Sequence, residues 1–227
     1  MKKINNIEIK ISNDIVDYKE SLKIMEKRVV DINLNNKKEL IWFLYHDHIY
    51  TIGTSGSKKE IREKITYPVI KTNRGGKITY HGPGQLVVYP IIKWEGEFQS
   101  VRAVISLLED WTISAFEACG IESYKDKTMQ GVWVDGHKIC SIGLSFFKWV
   151  SRHGMSINVN TPGSRVERVS GCGMQEGTHT CLHKLGYSSD REGNKIDIKR
   201  IEDALFETCQ KILGRVPSYH ISEDMGA

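Results

Sequence analysis

Apolar residues recur at three- and four-residue steps through residues 17 to 33, with Leu22, Met25, Val29 and Ile32 on one side. That spacing predicts an amphipathic helix. The pattern then changes to an unbroken apolar run, Leu40-Ile41-Trp42-Phe43-Leu44-Tyr45, followed by Ile49-Tyr50-Thr51-Ile52-Gly53. Aromatic and β-branched residues dominate both, which predicts one strand or two short ones. Pro68 to Thr72 and Leu86 to Tyr89 read as further strands around a glycine-rich loop. From Val101 to Cys119 a stripe of Val101, Val104, Ile105, Leu108, Trp111, Ala115 and Phe116 predicts a core-packed helix stopped by Gly120. Gly131-Val132-Trp133-Val134, Asp135-Gly136 and His137-Lys138-Ile139-Cys140 predict a hairpin, because Asp-Gly supplies the two positive-φ positions of a type I′ turn. A strand is expected near Met155 to Val159, then a long polar loop around Cys172, and a last helix from Ile198 to Leu213 ending at Gly214. Strands and helices mix without a βαβ rhythm, so the expected class is α+β.

Composition narrows the functional classes. At 227 residues, 40% hydrophobic and 26% charged, the chain fits one domain over 1–227. Its net charge of +4 is spread out, with no basic run of the kind that marks nucleic-acid binding. A mild positive balance suits docking to an acidic protein. No apolar stretch approaches a membrane span, and the start lacks a secretory apolar region. Five cysteines, an odd number in a chain of this length, predict reduced thiols and a cytoplasmic location.

Three places hold candidate chemistry. Arg74-Gly75-Gly76-Lys77-Ile78-Thr79-Tyr80-His81-Gly82-Pro83-Gly84-Gln85 has four glycines in twelve residues, beside the polar Arg74, Tyr80, His81 and Gln85. It reads either as a turn-rich connection or as a backbone brought close to a ligand; the phosphate-loop spacing is absent. Lys138 sits in an otherwise apolar strand, where a lysine faces solvent or, turned inward, becomes an acid/base group. Cys172 stands between Gly171 and Gly173. Such a thiol is either inert or a nucleophile, and the latter needs exposure and a cationic neighbour. Cys172, His179, Cys181 and His183 also offer four soft ligands in twelve residues, but without the paired spacing of structural zinc sites. No metal is expected.

Taken together these motifs resemble the lipoyl(octanoyl) transferases. The loop Arg74 to Gln85 is followed in order by Gly131-Val132-Trp133-Val134, by Lys138-Ile139-Cys140-Ser141-Ile142-Gly143, by His153-Gly154-Met155-Ser156-Ile157-Asn158-Val159, and by Cys172-Gly173. The likeness runs from about Ile41 to Leu182. It implies a mixed β-sheet flanked by helices, as in the biotin and lipoate protein ligases. It implies Cys172 as the acyl-thioester nucleophile and Lys138 as its partner. Substrate contacts are implied at Arg74, Gly75, Gly76, Lys77, Ile78, Thr79, Tyr80 and His81, at Ser141, Ile142 and Gly143, and at Gly154, Met155 and Ser156. The chain departs from the family pattern at Gly171, where proline usually stands, and at Cys181, in what looks like a Thr-Ser-Leu site.

The resemblance implies an octanoyl-acyl carrier protein as donor. The implied acceptors are the lipoyl domains of 2-oxoacid dehydrogenases and the glycine cleavage H-type protein. No cofactor, nucleic acid or membrane is involved, and a monomer is expected. An apolar tunnel is expected to set chain length, with Gly75 and Gly76 letting the backbone lie against the acyl chain. The competing readings are an ATP-dependent lipoate or biotin ligase, an amidotransferase between lipoyl domains, and a non-catalytic, zinc-stabilised binding module.

Overall fold

The computed structural model describes residues 5–60, 66–162, 178–190 and 192–219. Cys172 lies outside them. Alternation within the apolar runs organises the architecture. In β2 (Leu40–Tyr45), Leu40, Trp42 and Leu44 meet Met25, Val29 and Ile32 of α1 (Tyr18–Asn33). Ile41 and Phe43 face the opposite side, in the core built with α2 (Val101–Ala118) and α3 (Ile198–Leu213). The neighbouring β6 (Gln85–Ile91) repeats this, with Val87, Tyr89 and Ile91 toward α1 and Leu86 and Val88 toward α2 and α3. A sheet covered on both faces needs strands that are apolar on both sides, which is why these two read as continuous runs. Each large apolar side chain so buried contributes roughly 1.5–3 kcal/mol.

The main sheet has eight strands in the order β11-β1-β2-β6-β10-β9-β8-β7. These are β1 (Asn5–Ile15), β7 (Tyr124–Lys125), β8 (Val132–Val134), β9 (His137–Phe147), β10 (Val150–Asn158) and β11 (Arg215–Tyr219), with β2 and β6. The sheet is mixed: β1 is parallel to β2 and β11, and the pairs from β2 through β7 are antiparallel. A second sheet orders β4 (Val69–Lys71), β3 (Ile49–Ile52) and β5 (Ile78–His81). The architecture is the α+β, helix-flanked mixed sheet expected from the sequence. Among the described residues no helix is long and apolar enough to cross a membrane.

Local chemistry sets the boundaries. Asp17, Ser100 and Asp197 cap the three helices, each side chain accepting a hydrogen bond from the backbone N–H three residues on. Gly214 ends α3 in the left-handed conformation. Asp135 and Gly136 carry φ of 47° and 79°, the predicted turn between β8 and β9. The structure differs from expectation at residues 78–81, which form β5 rather than loop, and at β9, which runs on to Phe147.

Candidate active site

The two sheets meet over a narrow slot. One wall is the β9–β10 ladder, where Ser141 pairs with Ser156, Ile142 with Met155, and Gly143 with Gly154. The other is the segment from Arg74 to His81. Of the residues implied by the sequence, Arg74, Thr79, His81, Ser141, Ile142, Gly143, Gly154, Met155 and Ser156 line the slot. Gly75, Gly76, Lys77, Ile78, Tyr80 and Lys138 lie outside its lining. Ile78 and Tyr80 pack with Tyr50 and Ile52 in the small sheet's own core. Gly75 donates its N–H to the Leu144 carbonyl at 2.7 Å, and Gly76 accepts from Ser55 N–H at 3.2 Å. The carbonyl of Lys77 accepts from Gly53 N–H. These residues fix the loop against its surroundings. Gly143 permits that approach: a Cβ there would lie 2.9 Å from the Gly75 carbonyl oxygen and 3.3 Å from Arg74 Cδ.

Buried uncharged groups wire the slot. The Gln85 amide nitrogen donates to the Tyr80 carbonyl (3.0 Å) and to Asn158 Oδ1 (2.8 Å), so its oxygen is left to accept from His81 Nδ1 (2.8 Å). That assigns the proton of His81 to Nδ1 and leaves Nε2 as an acceptor facing the Thr51 hydroxyl at 3.4 Å. Arg74 binds the same hydroxyl from Nη2 at 2.9 Å and the Thr51 carbonyl at 2.7 Å. Burial, then the neighbouring His46, push His81 well below its ordinary pKa. Burial also lowers His46 to about 4 and His153 to about 3, so these rings are neutral near pH 7. Tyr18, Val87, Tyr89 and His153 complete the lining. The sequence did not single them out as site residues; only His153 carried a signal, its place in the His153-Gly154 motif. His153 has φ 60°, a conformation costly for a side chain with Cβ, and its buried Nδ1 has no hydrogen-bond partner among the described residues.

Lys138 occupies the next stretch of β9. It is 8% exposed, so it is turned inward. A bulge explains how. Val132 pairs with Cys140, and both lie in the core beneath α2, yet the next residue, Trp133, pairs with Lys138, two positions back. The extra residue, Ile139, resets the alternation and puts Lys138 on the face of Trp133, opposite Cys140. That is the face of Ser141 and Gly143. Gly131 makes room for the lysine: with φ 118°, it has a position at which a Cβ would lie 2.6 Å from Lys138 Cε and collide with the Cys140 carbonyl. The chain returns beside this strand, where Lys138 N–H donates to the Thr178 carbonyl at 2.8 Å and Thr180 N–H to the Lys138 carbonyl at 3.3 Å.

Cys119, Cys140, Cys181 and Cys209 are all buried, and burial drives the Cys140 and Cys209 thiols up to about 12. The His179–His183 stretch is not a strand: His179 bridges Lys138, and His183 starts a short turn with its Nε2 2.6 Å from the Ile196 carbonyl. Among the described residues no cluster of histidine, cysteine and carboxylate groups is placed to hold a metal.

Comparison with known proteins identifies the fold and the lineage. The model of the lipoyl protein ligase A/B catalytic domain matches residues 17–210. The chain belongs to that family. Relatives named octanoyltransferase include one from Bartonella henselae, 34% identical and covering 88% of this chain and 87% of its own. Another, from Rickettsia conorii, is 37% identical and covers 76% of this chain and 86% of its own. Among solved structures, a lipoate-protein ligase A bound with ATP superposes with a TM-score of 0.71 at 11% identity, covering 97% of this chain and 90% of that one. A bipartite lipoate protein ligase from Thermoplasma acidophilum, solved in work on an archaeal lipoylation system and its E2 lipoyl domain, gives 0.65 at 13%, covering 97% and 89%. The lipoyl protein ligase fold is therefore shared across very different sequences.

Proposed function

We propose that this member of the family is an octanoyltransferase: it moves an octanoyl group from a carrier-protein thioester to a lysine of a lipoyl domain, through a thioester on Cys172. One observation carries the reading. Lys138 is buried on the slot face of its strand, and the chain fastened to its backbone at Thr178 is the chain that bears Cys172, six residues earlier (172 to 178). The relatives named octanoyltransferase support the acyl group, and the lipoyl domain in the archaeal system supports the acceptor class.

The physical chemistry is as follows. A free thiol with a pKa of roughly 8.5 is only a few per cent thiolate at neutral pH. An ammonium beside it favours the thiolate by charge attraction. The Cys172 sulfur attacks the donor carbonyl, the carrier's carbon–sulfur bond breaks, and Lys138 returns a proton to the departing carrier sulfur. The acceptor's amine must be neutral to attack the new thioester; its carbon–sulfur bond breaks, Cys172 leaves as thiolate, and Lys138, now deprotonated, takes the amine's proton. Thioester to amide runs downhill, so no nucleotide takes part. The slot holds the acyl chain, with each buried methylene worth about 0.8 kcal/mol, or several-fold in selectivity.

Intact-mass measurement after mixing with octanoyl-carrier protein, with no nucleotide added, tests this. One octanoyl group should appear on the protein, vanish in Cys172→Ala and persist in Cys181→Ser. A requirement for ATP, the nucleotide bound to the ligase neighbour, would sink the reading.

A further inference from the structure

A carboxylate sits where the apolar stripe of α2 leads one to expect a hydrocarbon. Glu109 is 7% exposed and falls between Ile105 and Thr112, four residues after one and three before the other, on the buried side of the helix. Its Oε1 accepts a hydrogen bond from Gly131 N–H at 2.8 Å. Gly131 is the residue against which the Lys138 side chain lies, the point where a Cβ would come 2.6 Å from Cε and 3.3 Å from Nζ. Carboxylate, glycine and lysine are thus stacked, with no side chain on the glycine to separate the two charges.

We propose that Glu109 is a positioning residue for Lys138: it fixes Gly131 as the lysine's seat and supplies, across that glycine, the negative charge that holds the amine as ammonium. The inference rests on the transfer reading only for its catalytic consequence; the pairing itself stands on geometry. Among the described residues, the titratable groups near Lys138 agree with it. Cys140, two positions along its own strand and turned the other way, is neutral because burial raises its thiol to about 12. His179, from the returning chain, is lowered to about 3 by burial and then by Lys138 itself, so it adds no charge. On α2, burial raises the Glu109 carboxyl above its ordinary value, and Gly131 N–H, Lys125 of β7 and, least, Lys138 act against that rise. Lys125 is engaged by Asp110 at 2.7 Å and Ser106 at 2.8 Å. An anion next to a buried amine favours its charged form.

Competitive acetylation of the full chain across a pH series, read by mass spectrometry of the peptide holding Lys138, tests the pairing without reference to any reaction. In Glu109→Gln, which keeps an acceptor for Gly131 N–H, the labelling midpoint of Lys138 should move down by about half a pH unit. That is about threefold more labelling at fixed pH. In Glu109→Ala the midpoint should move likewise and the octanoyl-transfer kcat should fall about tenfold with KM little changed. Should Glu109→Ala not fold, the near-isosteric glutamine variant decides alone. Superimposable labelling curves for the wild type and the glutamine variant would overturn the inference. A midpoint that moves in a protein unable to form the Cys172 adduct would uphold the pairing and reject the transfer reading.

Discussion

The main sheet carries two very different hollows. The slot, over its central strands, is walled by neutral histidines, tyrosines, the Arg74 guanidinium and glycine backbone. Near β11 a larger cleft is lined by Lys37, Lys38, Glu39, Lys93, Trp94, Glu95 and Arg215 among others. The larger hollow is richer in charge, yet its principal charges are matched to each other. Arg215 Nε meets Glu39 at 3.0 Å, its Nη1 donates to the Leu213 carbonyl at 2.8 Å, and its guanidinium lies 5.0 Å from the Trp94 ring centre. That cleft closes β11 and β1 onto the sheet. In the slot Arg74 and the buried neutral groups are wired to fixed partners, and a buried lysine lies on the same face of β9. Matched charges mark the cleft as architecture, whereas the slot offers oriented, buried polar groups to a ligand.

The contrast can be broken or sharpened in order of effect. Gly131→Ala forces a Cβ onto Lys138 Cε and the Cys140 carbonyl, so transfer should fall by about a hundredfold or more in single-turnover assays. A near-normal rate would show that the lysine's seat is unimportant. Gln85→Leu strips partners from the Tyr80 carbonyl, Asn158 and His81 together, and should lower stability by about 2–4 kcal/mol in urea denaturation at constant m.

Acid should expose the slot's neutral wiring. His46, His153 and His179 have folded-state pKa values of about 4, 3 and 3, below the unfolded 6.5. Below pH 6.5 the unfolded chain therefore binds more protons, and stability is lost as pH falls from 6.5 toward those values. The slope is up to about 1.4 kcal/mol per pH unit for each histidine. Urea midpoints between pH 6.5 and 4.5 measure it, and His153→Gln should flatten the slope. The smallest effect belongs to the other hollow: Lys38→Ser should change transfer by less than about twofold and stability by about 0.5 kcal/mol or less. A large loss there would make the charged cleft part of the working surface after all.

Legibility from sequence followed the strength of periodicity. α1, β2 and α3 stood out because their apolar patterns were strong, with Gly214 as a stop for α3, and the structure places their limits at Tyr18–Asn33, Leu40–Tyr45 and Ile198–Leu213. β5 was hidden because its four residues lie between glycine pairs, and glycine density reads as loop whatever the tertiary pairing. β1 was not read at all, although Ile7, Ile9 and Ile11 alternate with Glu8, Lys10 and Ser12; its pairing with distant Arg215 to Tyr219 leaves no local trace. At the site, the glycine loop and the β9–β10 motif pointed to most of the lining, but Tyr18, Tyr89 and Glu109 arrive from elements whose patterns speak only of packing. The orientation of Lys138 was undecidable from alternation, since the bulge that turns it is a tertiary feature.

That bulge makes the β8–β9 hairpin a parity device. A single surplus peptide unit lets the amine and the sulfur of Cys140, two positions apart, look to opposite sides of the sheet where strict alternation would send them to the same one. Excising Ile139 would make the two residues direct neighbours in a regular ladder, still opposite Trp133 and Val132, so each side chain would keep its address.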